Sequence, residues 1–469
     1  MRWSIIFLLV TLLSGCGQNL FVSQQRPDQL TFPPLKFTFP KVAEQQLSNG
    51  ARVYMKEDHE LPLVDLTLMV EGGSVYDPLD KTGLSQLFAD TLATGGAGDM
   101  SPQQLESELE AMAASFNVSS SDYCYQIDLS LHSSDLQRGL QILAMVLRSP
   151  RFDQSRFALA QERLLESIHR KNDEPSAIAN RLLNATEAPG HPFGAFPSDA
   201  SVMAVTREDL LKLHERYFHP ANFWFGVSGD FKQADLLADF EHLLGDWPAG
   251  DSLVRDFPSL PQPPEGEILL ADKDVPQTTI LMGETGISKD NPDQYALRVA
   301  NFILGGGGFN SRMMREVRSN RGLAYSVYSY FQIGRHLPGM FLAGSETKSS
   351  STAEVVELMR QIMQGMIDKP VSEAELKLAK ESLVNSFVFA FDDTHSVVTQ
   401  KVRLDYYGYP QDYLEDFRKN IEQVTVVDVQ RVSKEYLHPD QLLIVLVGET
   451  EVFANQVKDL GLPVKKVDL

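Results

Sequence analysis

Cysteine is scarce. The 469 residues hold two, Cys16 and Cys124, and the first sits in a leader segment, so no disulfide framework can staple the exported fold. Cys124 lies in the strand-like run Tyr123-Cys124-Tyr125-Gln126-Ile127 and reads as a small buried hydrophobe. No general base is suggested near it, which leaves a thiol nucleophile without support. Positive charge is short as well: 42 Lys and Arg stand against 63 Asp and Glu, and a net charge of −21 argues against nucleic acid and against adsorption on anionic lipid. The ten histidines include no H-x-x-x-H pair, and His214 and His219 are five apart, off a common helical face. A helical histidine grip on a metal ion is therefore missing. The apolar run from Ile5 to Leu13 is too short to span a bilayer as a mature helix.

After Met1-Arg2, that run has the form of an export signal. It closes on Leu12-Leu13-Ser14-Gly15-Cys16, similar to a bacterial lipobox, which implies a signal peptide over 1–16 and a lipid on Cys16 as the new N-terminus. Gly17 rather than Asp favours an outer over an inner membrane, so the expectation is a periplasm-facing lipoprotein that touches membrane only through its lipid. The competing reading is a short membrane anchor with an incidental cysteine. Residues 17–44 carry Gln, Pro and Phe without helical periodicity and read as a tether.

The length admits two or three domains, and the 43% hydrophobic and 22% charged shares are those of a soluble globular protein. An internal repeat settles the organisation. Val205-Thr206-Arg207-Glu208-Asp209, Tyr217-Phe218-His219-Pro220 and Gly229-Asp230 recur as Val424-Thr425-Val426-Val427-Asp428, Tyr436-Leu437-His438-Pro439 and Gly448-Glu449, each offset by 219. Thr206 with Asp209 and Thr425 with Asp428 fit capping boxes that start helices, and Phe223 to Val227 and Leu442 to Val447 read as the strands after them. Pro248, Gly250, Pro258, Pro261, Pro263 and Pro264 place a linker at 246–266 between an N-terminal domain at 45–245 and a C-terminal one at 267–469.

Further strands are expected at Val64 to Val70, Tyr125 to Leu131, Thr279 to Gly283, Tyr325 to Phe331 and Met340 to Ala343. Helices are expected at Ser134 to Arg148, Gln154 to Lys171, Pro292 to Leu304, Thr352 to Ile367 and Ser372 to Phe389, the last opening on Ser372 and Glu375. The mixture implies an α+β layer architecture, two similar sheet-and-helix domains in tandem.

Two stretches remain to be read for chemistry. Gly72-Gly73-Ser74-Val75-Tyr76-Asp77-Pro78 leads through Lys81-Thr82 into Gly83-Leu84-Ser85-Gln86-Leu87-Phe88-Ala89-Asp90, by itself an ordinary amphipathic helix with Leu84, Leu87, Phe88 and Leu92 facing a core. Gly305-Gly306-Gly307-Gly308-Phe309-Asn310-Ser311-Arg312 precedes Arg318-Ser319-Asn320-Arg321-Gly322-Leu323-Ala324-Tyr325. The glycine run lacks the Lys-Ser/Thr ending of a phosphate loop and reads as a flexible loop before a helix. Both stretches, with His191-Pro192-Phe193-Gly194, resemble the pitrilysin, insulinase and mitochondrial processing peptidase family.

Active members of that family carry H-x-x-E-H on the first helix, two histidines for Zn²⁺ and a glutamate that activates water, with a further glutamate ligand about seventy-five residues downstream. Here the resemblance aligns those positions with Gln86, Ala89, Asp90 and Ser167, or with Glu166 after a one-residue slip. It therefore implies no catalytic metal in this chain. The second stretch in that family holds an arginine and a tyrosine seven residues apart that bind substrate and polarise the scissile carbonyl, matched by Arg318 and Tyr325. Gly305, Gly306, Gly307 and Gly308 would admit or orient the peptide, and Arg312 and Arg321 could add an anion-attracting rim. The competing reading of the pair is an exposed helix arginine beside a tyrosine packed on the core.

The resemblance implies a pseudoenzyme that is no peptidase on its own: the substrate-gripping subunit of a heterodimer whose homologous partner carries the zinc, cleaving peptides or unfolded polypeptides in the bacterial envelope. Its rival is a catalytically dead scaffold or peptide-binding lipoprotein of the same fold. A lone peptidase with a metal on Asp90 and Glu166 ranks last.

Overall fold

A computed structural model describes residues 39–469 except 252, 257 and 263. The signal peptide, Cys16, most of the 17–44 tether and Pro263 lie outside the described residues. Two six-stranded mixed sheets dominate. The first is built from β1 (Ala43–Gln46), β2 (Arg52–Glu57), β3 (Leu63–Glu71), β4 (Ser115–Ser120), β5 (Cys124–His132) and β6 (Phe223–Gly229), in the order β1-β2-β6-β3-β5-β4. The second contains β7 (Ile268–Asp272), β8 (Gln277–Thr285), β9 (Ala324–Phe331), β10 (Met340–Lys348), β11 (Leu443–Gly448) and β12 (Val464–Val467), in the order β12-β7-β11-β8-β10-β9. The strand that follows each repeated capping-box helix, β6 or β11, runs parallel to one neighbour and antiparallel to the other. Buried on both faces, these strands read as unbroken apolar runs, Phe223-Trp224-Phe225 and Leu443-Ile444-Val445-Leu446-Val447.

The boxes form as expected. Thr206, Ser372 and Thr425 each accept the backbone N–H three residues on, and Asp209, Glu375 and Asp428 return a bond to the cap. Each sheet carries its own helical layer and core, with Phe88, Tyr125, Phe152 and Phe225 in the first and Phe341, Met359, Ile421 and Phe453 in the second.

The opposite faces are covered by an exchange. Helix Pro175–Glu187, from the N-terminal half, lays Ile178, Ala179 and Leu183 on Leu281, Leu342, Leu443 and Val445 of the second sheet. Helix Thr394–Tyr407, from the C-terminal half, lays Val398, Val402 and Tyr406 on Tyr54, Met69 and Trp224 of the first. Pro175 and Thr394, their first residues, differ by the same 219 positions as the repeat. Glycines in the sheets let the helices settle: a Cβ on Gly283 would come within 2.9 Å of Leu183, and one on Gly226 within 2.9 Å of Val402.

The 246–266 segment holds no helix or strand among its described residues, yet it is anchored. Ala249 accepts from Ala221 N–H, and Pro258 accepts from His191 Nε2 at 3.0 Å, which leaves His191 Nδ1 to accept from Phe193 N–H. Arg255 grips the fully buried Glu71 with both ends of its fork, at 2.7 and 2.9 Å. Arg335 of the second half reaches the same carboxylate at 3.3 Å. Burial works against the charged form of Glu71, but bonds from His336 and Arg255 and the charge of Arg335 outweigh it and hold the carboxyl down at about 2.

Three expectations need correction. The helix expected over Pro292 to Leu304 is regular only from Gln294 to Asn301; Phe302–Gly306 winds wider, with Gly307 N–H donating to Phe302 five residues back. The glycine run is therefore mostly helical turn rather than open loop. The helix expected to reach Phe389 ends at Ser386 and tightens over Phe387–Phe391. The strand expected to stop at Ala343 continues to Lys348, because β8 pairs with it along its whole length.

Candidate functional site

Helix Leu84–Thr94 starts after Gly83, held at φ 101°, and no side chain at that position caps it. Asp77 supplies the missing acceptor, taking the Ser85 backbone N–H at 3.1 Å and its hydroxyl at 2.6 Å; Ser85 also lies 2.8 Å from the Tyr125 hydroxyl. Burial raises the Asp77 carboxyl to about 6 against these bonds. Four positions down this frame were expected to be degenerate. Gln86 is exposed, Ala89 is 2% exposed, Asp90 is half-buried, and Ser167 and Glu166 are exposed on helix Gln154–His169, which packs against the first. Burial raises the Asp90 carboxyl, opposed by the charge of Arg163.

An amide, a methyl, one carboxylate and a hydroxyl do not fit a zinc ion, and Ala89 can move no proton. Among the described residues no three His, Cys, Asp or Glu side chains come together as a metal-holding group, so the site imagined on Asp90 and Glu166 lacks its third donor. Cys124 is buried as a small hydrophobe, its thiol pushed up to about 12 by burial.

The second stretch is different in kind. Arg318, in the widened turn Met314–Asn320, lies over two rings: 4.5 Å from the centre of Tyr325 and 4.7 Å from that of Phe309. Tyr325 is 81% exposed on β9, the edge strand of its sheet, and Phe309 is 65% exposed. No carboxylate among the described residues pairs with Arg318. A tyrosine packed on the core is thus ruled out; a half-buried guanidinium is instead held over two exposed rings, with no carboxylate beside it to compete with an anionic or carbonyl oxygen. Phe309 was missed by motif reading, although an aromatic directly after four glycines was a visible signal.

The glycines divide. Gly305 was assigned to substrate but is buried, because a Cβ there would sit 2.5 Å from the Ser329 nitrogen; its smallness lets the turn press on β9. Asn301 and Ser329 bond reciprocally beside it. Gly306 and Gly307 are crowded by Asn301 and Phe302, although Gly306 is exposed, and Gly308, exposed at φ 55° with open space around it, turns the chain toward Phe309. The expected cationic rim is neutralised: Arg312 forks onto Glu375 at 2.8 and 2.9 Å, holding that carboxyl down at about 2, and Arg321 lies 3.4 Å from Glu354. Arg318 stands apart as the unneutralised cation of this stretch.

Comparison with known proteins bears on the fold and the family. A family model described as insulinase (peptidase family M16) matches residues 52–195, and one described as the peptidase M16 inactive domain matches 204–383. A Helicobacter pylori protein named non-peptidase homolog YmxG is 25% identical over 401 residues, 84% of this chain and 91% of its own. An uncharacterized zinc protease of Mycobacterium leprae is 28% identical over 327 residues, 65% of this chain and 69% of its own. The crystal structure of a peptidase M16 inactive domain from Pseudomonas fluorescens superposes with a TM-score of 0.78 at 26% identity, covering 87% of this chain and 98% of its own. The two family models together span more than half of the sequence, both halves carry the same sheet architecture, and the chain belongs to the peptidase M16 (insulinase) family.

Proposed function

We propose that this chain is the non-catalytic, substrate-binding subunit of a heteromeric zinc endopeptidase that acts on peptides or unfolded polypeptides in the bacterial envelope. One observation carries the reading: Arg318 is held unneutralised between exposed Phe309 and Tyr325, on a chain whose metal positions have lost their donors. Peptide hydrolysis builds negative charge on the carbonyl oxygen, and a guanidinium beside a phenol can hold that charge as it forms. A scaffold has no use for such a pair. The zinc and the attacking water would come from a homologous partner with H-x-x-E-H, and a lipid on Cys16 would keep the assembly at the outer membrane, facing the periplasm. The names of two similar proteins, a non-peptidase homolog and an inactive domain, support the loss of independent catalysis.

The test is co-purification from the native envelope, followed by peptide hydrolysis with and without the partner. Activity that requires both chains and falls in Arg318→Ala supports the reading. Full activity of the partner alone would sink it.

A further inference from the structure

The strand that carries Tyr325 displays more than that residue. Along β9 the pairing with β10 slips by one residue between Ser345 and Thr347, so Tyr325 and Ser326 together oppose Glu346. The slip puts Tyr325 on the sheet face of Leu342, Gly344 and Glu346, and Tyr330 and Tyr328 lie on that same face, directly opposite Leu342 and Gly344. Tyr328 and Tyr330 stack on each other, ring centres 6.0 Å apart and planes 19° apart, and are 42% and 44% exposed. Gly344 makes room for this shelf, since a Cβ there would come within 2.5 Å of the Tyr328 hydroxyl. Helix Pro175–Glu187 covers the same face as far as Leu342, and the apolar cluster it forms includes no residue of β9. The fold itself does not require these rings: the matching edge strand of the first sheet, β4, turns exposed Ser115, Asn117 and Ser119 to the corresponding face.

We propose that Tyr328 and Tyr330 are specificity-determining residues, selecting peptides with an aromatic or large aliphatic side chain close to the carbonyl that Arg318 and Tyr325 hold. This rests on the substrate-binding reading of Arg318 and deepens it by naming what is bound. A strand rises about 3.3 Å per residue, which puts Tyr328 about 10 Å from Tyr325, a span that an extended peptide crosses in about three residues. One peptide running along β9 can therefore meet the guanidinium and the stacked rings together. Rings that lie on a sheet with much of their surface in water offer a face or an edge to a further apolar group, and a ring packed there gains contact beyond the area it buries. A small polar side chain at the same place gains neither. The shelf is continuous with the Arg318 site through Tyr325, on the one stretch of that face the exchanged helix leaves open.

Fluorescence anisotropy of the purified full chain with fluorescein-labelled Gly-Ser-Ala-Phe-Ala-Ser-Gly should show saturable binding, about three- to tenfold tighter than for the same peptide with Ser in place of Phe. Tyr328→Ser combined with Tyr330→Ser should level the two peptides. Tyr328→Phe combined with Tyr330→Phe keeps the rings and should keep the preference, which separates loss of the shelf from loss of the fold. Arg318→Ala should weaken both peptides alike and leave their ratio standing. Equal binding of the two peptides by the parent chain, a preference that survives removal of both rings, or a peptide with Lys in place of Phe binding as tightly as the Phe one would overturn the assignment. Those results leave the Arg318 reading intact, whereas Arg318→Ala binding both peptides as the parent does would remove that reading and spare the shelf. No binding of either peptide at about 1 mM would remove both.

Discussion

Tyr54 and Asp405, 351 residues apart, are joined by a hydrogen bond of 2.5 Å from the phenol to the carboxylate, and the Trp224 indole donates to the same oxygen at 3.0 Å. They fasten the exchanged C-terminal helix to the first sheet. The matching helix on the second sheet is fastened by apolar contact, with Leu183 fully buried among Leu281, Leu342 and Leu443. Leu183→Ala should cost about 2 to 5 kcal/mol in urea unfolding. Its mark should fall on the other half: amide hydrogen exchange should quicken in β8 and β11, far along the chain from the substitution. Quickening confined to 39–245 would show that the exchange carries little of the second sheet's stability.

Glu71 is the electrostatic counterpart. Glu71→Gln leaves Arg335 buried beside a neutral amide and should destabilise the chain by about 3 to 5 kcal/mol, read from denaturant midpoints.

The same carboxylate sets a pH dependence. Its folded value of about 2 lies below its ordinary 4.5, so its stabilisation is present above pH 4.5 and is lost as pH falls toward 2. Glu187 works in the opposite sense. Its folded value of about 7 lies above 4.5, so its contribution is full below pH 4.5 and is lost as pH rises through 7. Unfolding free energies measured across pH 2 to 8 should therefore rise and then sag. Glu187→Gln should shrink the upper decline without abolishing it, because Asp77, raised to about 6, declines in the same sense, and should leave the lower rise.

If the proposed assembly with a zinc-bearing partner is reconstituted, Arg318→Ala and Tyr325→Phe should each raise the barrier, read from kcat/KM, by about 2 to 4 kcal/mol. Both side chains contribute little to the core, so melting should change by no more than about 0.5 kcal/mol. Phe309→Ala should weaken Arg318 by freeing its guanidinium, a smaller loss rescued by Phe309→Tyr. Unchanged kcat/KM in all three would favour the scaffold reading.

The tandem architecture was legible because the repeat keeps one offset through a capping box, a His-Pro turn and an apolar strand, all features that local chemistry enforces. The pairing of Arg318 with Tyr325 was legible through the family resemblance alone, since local chemistry offered only a helix arginine beside a strand tyrosine. The exchange was not. Ile178, Ala179 and Leu183 show that a helix has an apolar face, but nothing in that pattern names the sheet that will cover it. Glu71 met its arginines across 184 and 264 residues, a distance over which no motif speaks. Gly305 looked like loop because glycine runs usually are; its need arises from how closely Ser329 approaches, a fact of packing alone.

The traded helices have an architectural consequence. A polypeptide of half this length with its helix held outward in the same way would leave one sheet face bare until a twin supplied the corresponding helix. The geometry is that of an intertwined homodimer whose two copies are joined at the proline-rich crossing. Severing the backbone at that crossing today should yield two fragments that are soluble when expressed together and insoluble when expressed apart.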